Sequence, residues 1–213
     1  MKKIFLIATV ASVLFSINTK AQNNDVDSRE KISFGVKAGA NYSNVWDEQG
    51  QDFRADSKLG FAGGAFLGIP INKFIGVQPE ILLSQKGFQA SGTLLGSPYS
   101  LTRTTNHIDV PVQLQIKPVQ FLTLLAGPQF SYLMSQKTTY TWGVNSTEQE
   151  QEFNNDNLRK NALGFVVGAD INIDHFVLSG RMGWDFQNNN GDGSSYTPRY
   201  KNQWLQLTAG LKI

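Results

Sequence analysis

The chain has 213 residues, 40% of them apolar, with 19 basic and 17 acidic side chains, 20 glycines, 14 phenylalanines and no cysteine. Without cysteine there are no disulfides, no thiolate metal sites and no cysteine nucleophile. The slight basic excess belongs to a leader: 19 less Lys2, Lys3 and Lys20 leaves 16 bases against 17 acids, which gives no electrostatic footing for nucleic acid.

The leader opens on the basic Met1-Lys2-Lys3, continues through an uncharged run of 12 residues from Ile4 to Phe15, and reaches a small residue at Ala21. This is the pattern of a secretory signal peptide over 1–21, with cleavage expected after Ala21. The run is too short for a membrane-spanning helix, which needs about 20 residues, and no later stretch comes near that length. Residues 22–31 are polar and aperiodic and predict a flexible lead-in. Residues 32–213 remain as one domain.

Regular alternation begins at Ile32. Ile32, Phe34, Val36, Ala38, Ala40 and Tyr42 share one face and Lys37, Gly39 and Asn41 the other, the period-two pattern of a strand. Seven further segments repeat it. Leu59, Phe61, Ala65, Leu67 and Ile69 oppose Gly60, Ala62, Gly64 and Gly68; Ile75, Val77, Ile81 and Leu83 oppose Gln78, Glu80, Ser84 and Lys86. Ile108 to Ile116 oppose His107, Asp109, Gln113, Gln115 and Lys117, and Leu122 to Tyr132 oppose Thr123, Gly127, Gln129 and Ser131. The last three run over Leu163–Ile171, Phe176–Trp184 and Leu205–Ile213, with Asp170, Arg181 and Gln206 among their polar positions.

The connections alternate in length. Pro70–Lys73, Pro118–Gln120 and Asp174–His175 predict tight turns, whereas 44–57, 89–101, 135–157 and 187–203 are long and polar. An even number of strands with this asymmetry predicts an all-β fold: an eight-stranded antiparallel up-and-down transmembrane β-barrel with short periplasmic turns and long extracellular loops. A soluble, lipocalin-like barrel would turn the apolar face inward. The polar face, however, carries Gly35, Gly39, Gly60, Gly64, Gly68, Gly127, Gly164 and Gly168, which suit a narrow lumen that must hold a few long side chains. On a solvated exterior they would only cost conformational entropy. The apolar face is therefore expected to meet lipid. Pro79, Pro111 and Pro128 fall inside strands and predict bulges or broken pairing.

Candidate sites follow from this placement. Tyr42, Tyr132 and Trp184 lie near the long-loop ends of the lipid face, where an aromatic girdle meets head groups. Lys37, Glu80 and Arg181 fall at similar depth on the inner face and predict an ionic cluster in which both bases share Glu80, with Asp109 one layer above. Its role would be to plug the barrel and hold the strand register. His107 lies two residues from Asp109 and could join Ser84 or Ser131 in a hydrolase-like triad, but structural polarity of the lumen is the stronger reading. His175 reads as a solvated turn residue. Asp185, Asn188, Asn190, Asp192 and Gly193 supply oxygen ligands without the spacing or closing glutamate of a calcium loop, and Glu148, Glu150 and Glu152 read as a solvated acidic run. No catalytic residue, metal or cofactor is expected.

Four segments carry a resemblance. Ile32 to Asn44 (ISFGVKAGANYSN), Val77 to Gly87 (VQPEILLSQKG), Ile108 to Val112 (IDVPV) and Leu125 to Pro128 (LAGP) resemble the first, third, fourth and fifth strands of the Bacteroidetes outer-membrane β-barrel family that includes the PorT-like proteins, prolines included. The resemblance runs from about residue 32 to the C-terminus. It implies an outer-membrane location and this fold, and supplies no catalytic residue; some relatives serve a secretion apparatus. The expected function is a structural or partner-binding barrel in outer-membrane lipid, with any protein partner contacted through the four long loops. A place in a PorT-like secretion complex and a barrel-embedded lipid-modifying enzyme are the alternatives.

Overall fold

A computed structural model describes residues 27–46, 55–94, 97–142, 145–152, 159–189 and 200–213. The leader, its cleavage point and residues 22–26 lie outside the described residues. The strands are β1 (Ser33–Trp46), β2 (Asp56–Pro70), β3 (Ile75–Leu94), β4 (Ser97–Val119), β5 (Leu122–Trp142), β6 (Asn145–Glu152), β7 (Asn161–Ile173), β8 (Phe176–Asp185) and β9 (Lys201–Lys212). Every pairing is antiparallel, and eight strands close a ring in the order β1-β2-β3-β4-β5-β7-β8-β9, while β6 pairs only with the far end of β5. At the seam, β1 pairs β9 from Gly35↔Lys212 to Trp46↔Lys201, and Phe34 and Ile213 exchange backbone hydrogen bonds beyond it. No helix among the described residues is long and apolar enough to cross a membrane.

The alternation sets the faces. Phe34, Val36, Tyr42, Leu59, Phe61, Leu205 and Leu207 point outward and exposed, whereas Lys37, Asn41, Glu80, Asp109 and Arg181 are buried inside. The greasy belt is thus on the exterior, the reverse of a soluble barrel. Tight turns occur where expected, at 71–74, 120–121 and 174–175. Asp174 turns the chain with a φ of 49°, a left-handed conformation that aspartate tolerates. Asn72 caps another by accepting from the amides of Phe74 and Ile75.

Two expectations need correction, and a third resolves between its alternatives. The segments 89–101 and 135–157 are not simply loops: β3 runs to Leu94 and β4 starts at Ser97, and β5 with β6 forms a second long hairpin. Apolar side chains are sparse and irregularly spaced in these extensions, so the alternation fades, yet Thr102, Thr104, Thr105, Thr138, Thr139 and Tyr140 favour an extended backbone. At the strand prolines, of the bulge or broken pairing expected, it is the pairing that breaks: it lapses beside Pro79 and Pro111 without a change of register, while Pro128 keeps its pairing with Phe165 on the other side. The register shifts fall elsewhere, between Ser57 and Ala62, Asn106 and His107, and Ile116 and Val119. Finally, the lead-in is folded from Asp27. Ser28–Glu30 form a 3-10 turn capped by the Asp27 carboxylate, and Arg29 donates to the carbonyls of Lys117 and Pro118 while Lys117 donates back to Arg29 O at 3.0 Å. Arg29 holds the Asp27 carboxyl well below the usual carboxylate range through their side-chain hydrogen bonds.

Candidate functional site

Alternate residues of β3 climb the lumen and serve as a ruler. Gln78 comes first, accepting from Gln115 Nε2 at 2.5 Å and donating to Glu80 Oε1 at 2.7 Å. At the Glu80 level, Lys37 Nζ lies 2.6 Å from Oε2 and Arg181 Nη2 lies 3.6 Å from Oε1. Arg181 also pairs with Asp170 at 2.7 Å and donates from Nε to Gln113 Oε1 at 3.0 Å. Two bases and two acids so balance in a layer that is almost sealed from solvent, which is the only way such charges are tolerated far from water. Gly168 makes room for it, because a Cβ there would come within 2.6 Å of Arg181 Cδ.

Ser84 marks the next level, accepting from Asn41 Nδ2 at 2.8 Å, while Gln206 donates to Asn41 Oδ1 at 2.9 Å across the seam. Lys86 follows, 2.9 Å from Asp109 Oδ2 with both side chains at most 1% exposed. Asp185 accepts from Asn202 Nδ2 at 2.7 Å. At the top, Phe88 packs edge-on against Tyr200 at 5.2 Å between ring centroids, and Arg103 donates to the Tyr200 hydroxyl. Burial pushes the Tyr200 phenol up, so it stays protonated.

Of the four residues expected in one cluster, Lys37, Glu80 and Arg181 meet around a shared carboxylate. Asp109 lies above them, as expected, but its carboxylate belongs to a separate pair with Lys86. Asp170, Lys86 and Trp204 complete the stack and were not foreseen as members. Asp170 and Lys86 occupy inner positions of the alternation, so their faces were readable although their partners were not. Trp204 precedes the last apolar segment on its polar face, where a hydropathy pattern has no way to mark it.

Tyr42, Tyr132 and Trp184 all project outward, and Trp184 leans on Phe165 at 5.8 Å between centroids. His107 is buried with both ring nitrogens lacking a hydrogen-bond partner among the described residues. Ser84 is engaged by Asn41 and Ser131 by Gln129, so no relay from serine through His107 to Asp109 is assembled. His175 Nδ1 sits 3.1 Å from the Lys212 carbonyl at the tight-turn end. Asp185 turns into the lumen rather than toward Asn188. Asn190, Asp192 and Gly193 lie outside the described residues, as do the side chains of Glu148, Glu150 and Glu152. Among the described residues no group of three or more metal-ligating side chains forms.

An antiparallel ring of eight strands, greasy outside and packed with paired charges inside, defines a small outer-membrane barrel. The chain belongs to the family described as outer membrane protein beta-barrel domain, whose model matches residues 20–203. Among solved structures it is similar to Ail of Yersinia pestis, with 13% identity, 85% of this chain and 98% of that one covered, and a TM-score of 0.50. It is also similar to Neisserial surface protein A (13% identity, 86% and 100% covered, TM-score 0.48) and to OprG from Pseudomonas aeruginosa (13%, 89% and 99%, 0.44). At such identity the likeness to Ail speaks for the fold alone. No curated protein matches the chain.

Proposed function

We propose that this protein is a plugged barrel that does not conduct solutes and holds a β-sheet above the outer surface for contact with a partner. One observation carries the reading. Strands β3, β4 and β5 run for 20, 23 and 21 residues, whereas a tilted strand crosses the bilayer in about 9–11. The surplus of these three neighbours, widened by β6, forms a four-stranded sheet beyond the rim. The stacked ion pairs below support a role in presentation rather than transport, because a filled eight-stranded lumen leaves little room for solutes.

On this reading the tight turns face the periplasm and 44–57, 89–101, 135–157 and 187–203 face the exterior, within reach of a protein partner, while lipid surrounds the girdle of Tyr42, Tyr132 and Trp184. The mature chain starts at Gln22 after export. No catalysis and no cofactor are assigned. Two measurements test this together. Epitope tags at Gly143 and Gly191 should be reached by antibody on intact cells, and the purified barrel should be silent in planar bilayers. Tags reached only after permeabilisation would reverse the orientation, and steady conductance would end the plugged reading.

The PorT-like secretion role is the second reading, favoured by one observation: the resembling segments on β3, β4 and β5 lie side by side, with Pro79 opposite Val112 and Pro111 opposite Gln129. Purification from gently solubilised membranes tests it. A stoichiometric envelope partner is expected, and recovery of the barrel alone would remove it.

A further inference from the structure

Above the Lys86 layer the lumen opens into a small cleft at the long-loop end. Its lining includes three cations, Arg103, Arg159 and Lys160, and, among the described residues, no carboxylate. No acid among the described residues lies within ion-pair distance of any of the three. This departs from the layers directly beneath, where Lys37, Lys86 and Arg181 each have a carboxylate within 4 Å.

A second observation is independent of charge. His107 is 6% exposed and lines the cleft, yet among the described residues neither ring nitrogen has a hydrogen-bond partner, and Thr105 Oγ1 beside it is also buried without one. Buried polar groups without partners are costly and ask for an occupant. The Tyr200 hydroxyl accepts from Arg103 and keeps its own hydrogen to donate.

The cations are held in place rather than dangling from a loop. Leu133 N donates to Lys160 O at 2.7 Å, Arg159 N to Asn189 O at 2.9 Å and Asn189 N to Tyr200 O at 2.9 Å. The Arg159 Nε donates to Asn188 O at 2.9 Å, which directs the guanidinium, and no described residue bonds its outer nitrogens. Planar guanidinium forks match tetrahedral oxyanions, and a nearby ammonium adds a point charge.

The geometry points to a binding site for a phosphate- or sulfate-type oxyanion group of a solute arriving from the long-loop side, held by Arg103, Arg159 and Lys160 with His107, Thr105 and Tyr200 as neutral partners. It rests on the proposed orientation for its source and on the plug for its outcome: the Lys86–Asp109 pair beneath makes it a terminal site, not a step along a pore. A lipid phosphate is the other source of the same chemistry, but the cleft faces the lumen and not the bilayer.

The test uses the whole mature barrel, folded in maltoside micelles that carry no phosphate. Inorganic phosphate, titrated by calorimetry against chloride at equal ionic strength, should bind saturably. The R159Q/K160Q double variant should weaken it at least tenfold, the scale of one lost charge-assisted hydrogen bond, while keeping the heat-dependent gel shift of a folded barrel. Because the Lys160 side chain, unlike that of Arg159, bonds no described residue, K160Q alone serves if the double variant folds poorly, with a smaller loss in the same direction. K73Q at the opposite end should bind as the parent does. Binding no stronger than chloride, or equal loss in K73Q, would overturn the site. Vesicles with and without phosphatidylglycerol separate the sources: equal phosphate affinity in both is expected, and competition by the anionic lipid would overturn a solute as occupant. None of these readouts depends on conductance or on the orientation in cells, so the site can fail while the plugged barrel stands, and the reverse.

Discussion

The ammonium of Lys86 lies 3.7 Å from the centroid of the Trp204 ring, deep in the barrel. Trp204 is 3% exposed and Lys86 1%, so the cation is sandwiched between an indole and the Asp109 carboxylate with water excluded. Desolvated contacts of this kind are worth about 2 kcal/mol or more. W204L should therefore destabilise by about 3–5 kcal/mol, combining lost packing with lost charge stabilisation. W204F should cost clearly less. Urea midpoints of the three proteins in the same micelle decide it, and equal midpoints for the two variants would show that the ring's π face contributes nothing.

Glu80 is the shared acid of the lower layer. E80A leaves Lys37 with no carboxylate at hydrogen-bonding range and should cost about 3–5 kcal/mol. Replacing Lys37, Glu80, Asp170 and Arg181 together by leucine should do far less harm, because no charge is then stranded. An unchanged urea midpoint in E80A would show that the layer contributes nothing to stability.

Gly87 adopts a φ of +147°, and a Cβ there would overlap the carbonyl oxygen of Arg103. Its amide donates to Ser43 Oγ at 2.9 Å, and Ser43 Oγ donates to its carbonyl at 3.0 Å. G87A should destabilise by about 1–3 kcal/mol through strain, and S43A by about 1 kcal/mol through the lost hydrogen bonds. Denaturant melts of both variants measure this, and a G87A protein as stable as its parent would mean that the local backbone can relax.

The Asp27 carboxyl is held below its ordinary range by Arg29. A carboxyl depressed in the folded state adds stability above its unfolded pKa and loses it as the pH falls through the folded one. The docked 3-10 turn should hence survive acidification through the ordinary aspartate range and release only in stronger acid. Hydrogen exchange at the Glu30 amide, which donates to Asp27 O, reads this directly. Release at the ordinary range, or unchanged protection in D27N, would contradict the coupling.

Much of the architecture could be read from the chain because the membrane forces every spanning strand to declare its faces. Phe34 beside Gly35 and Val36 beside Lys37 leave no choice of side. That signal stops at the rim, where threonine stands at outward positions such as Thr102 and at inward ones such as Thr138 alike, so the extended hairpins resembled loops. Depth was readable along single strands, which brought Lys37, Glu80 and Arg181 to one level. Which partner each charge takes depends on positions from other strands. Asp109 pairs with Lys86 because β3 and β4 are in step from Leu82↔Asp109 to Lys86↔Thr105, a register that hydropathy alone does not encode. The upper cleft escaped notice for a similar reason: Arg159 and Lys160 sit in what reads as a connection, far in sequence from Arg103 and His107.

The seam between β1 and β9 joins the two ends of the chain, and Gln206 reaches Asn41 across 165 positions of sequence. Until the last strand arrives, the first has no neighbour on that side, and the charged face of the growing sheet has no opposite wall. Bringing such distant segments together costs loop-closure entropy before any contact repays it. Ring closure and burial of the charged layers are consequently one event, so insertion should be all-or-none, with no half-inserted sheet persisting in the bilayer. The same coupling resists sideways opening: unzipping the seam would expose Asn41, Gln206 and the Lys37–Glu80 pair to lipid together, which makes this wall a poor lateral gate.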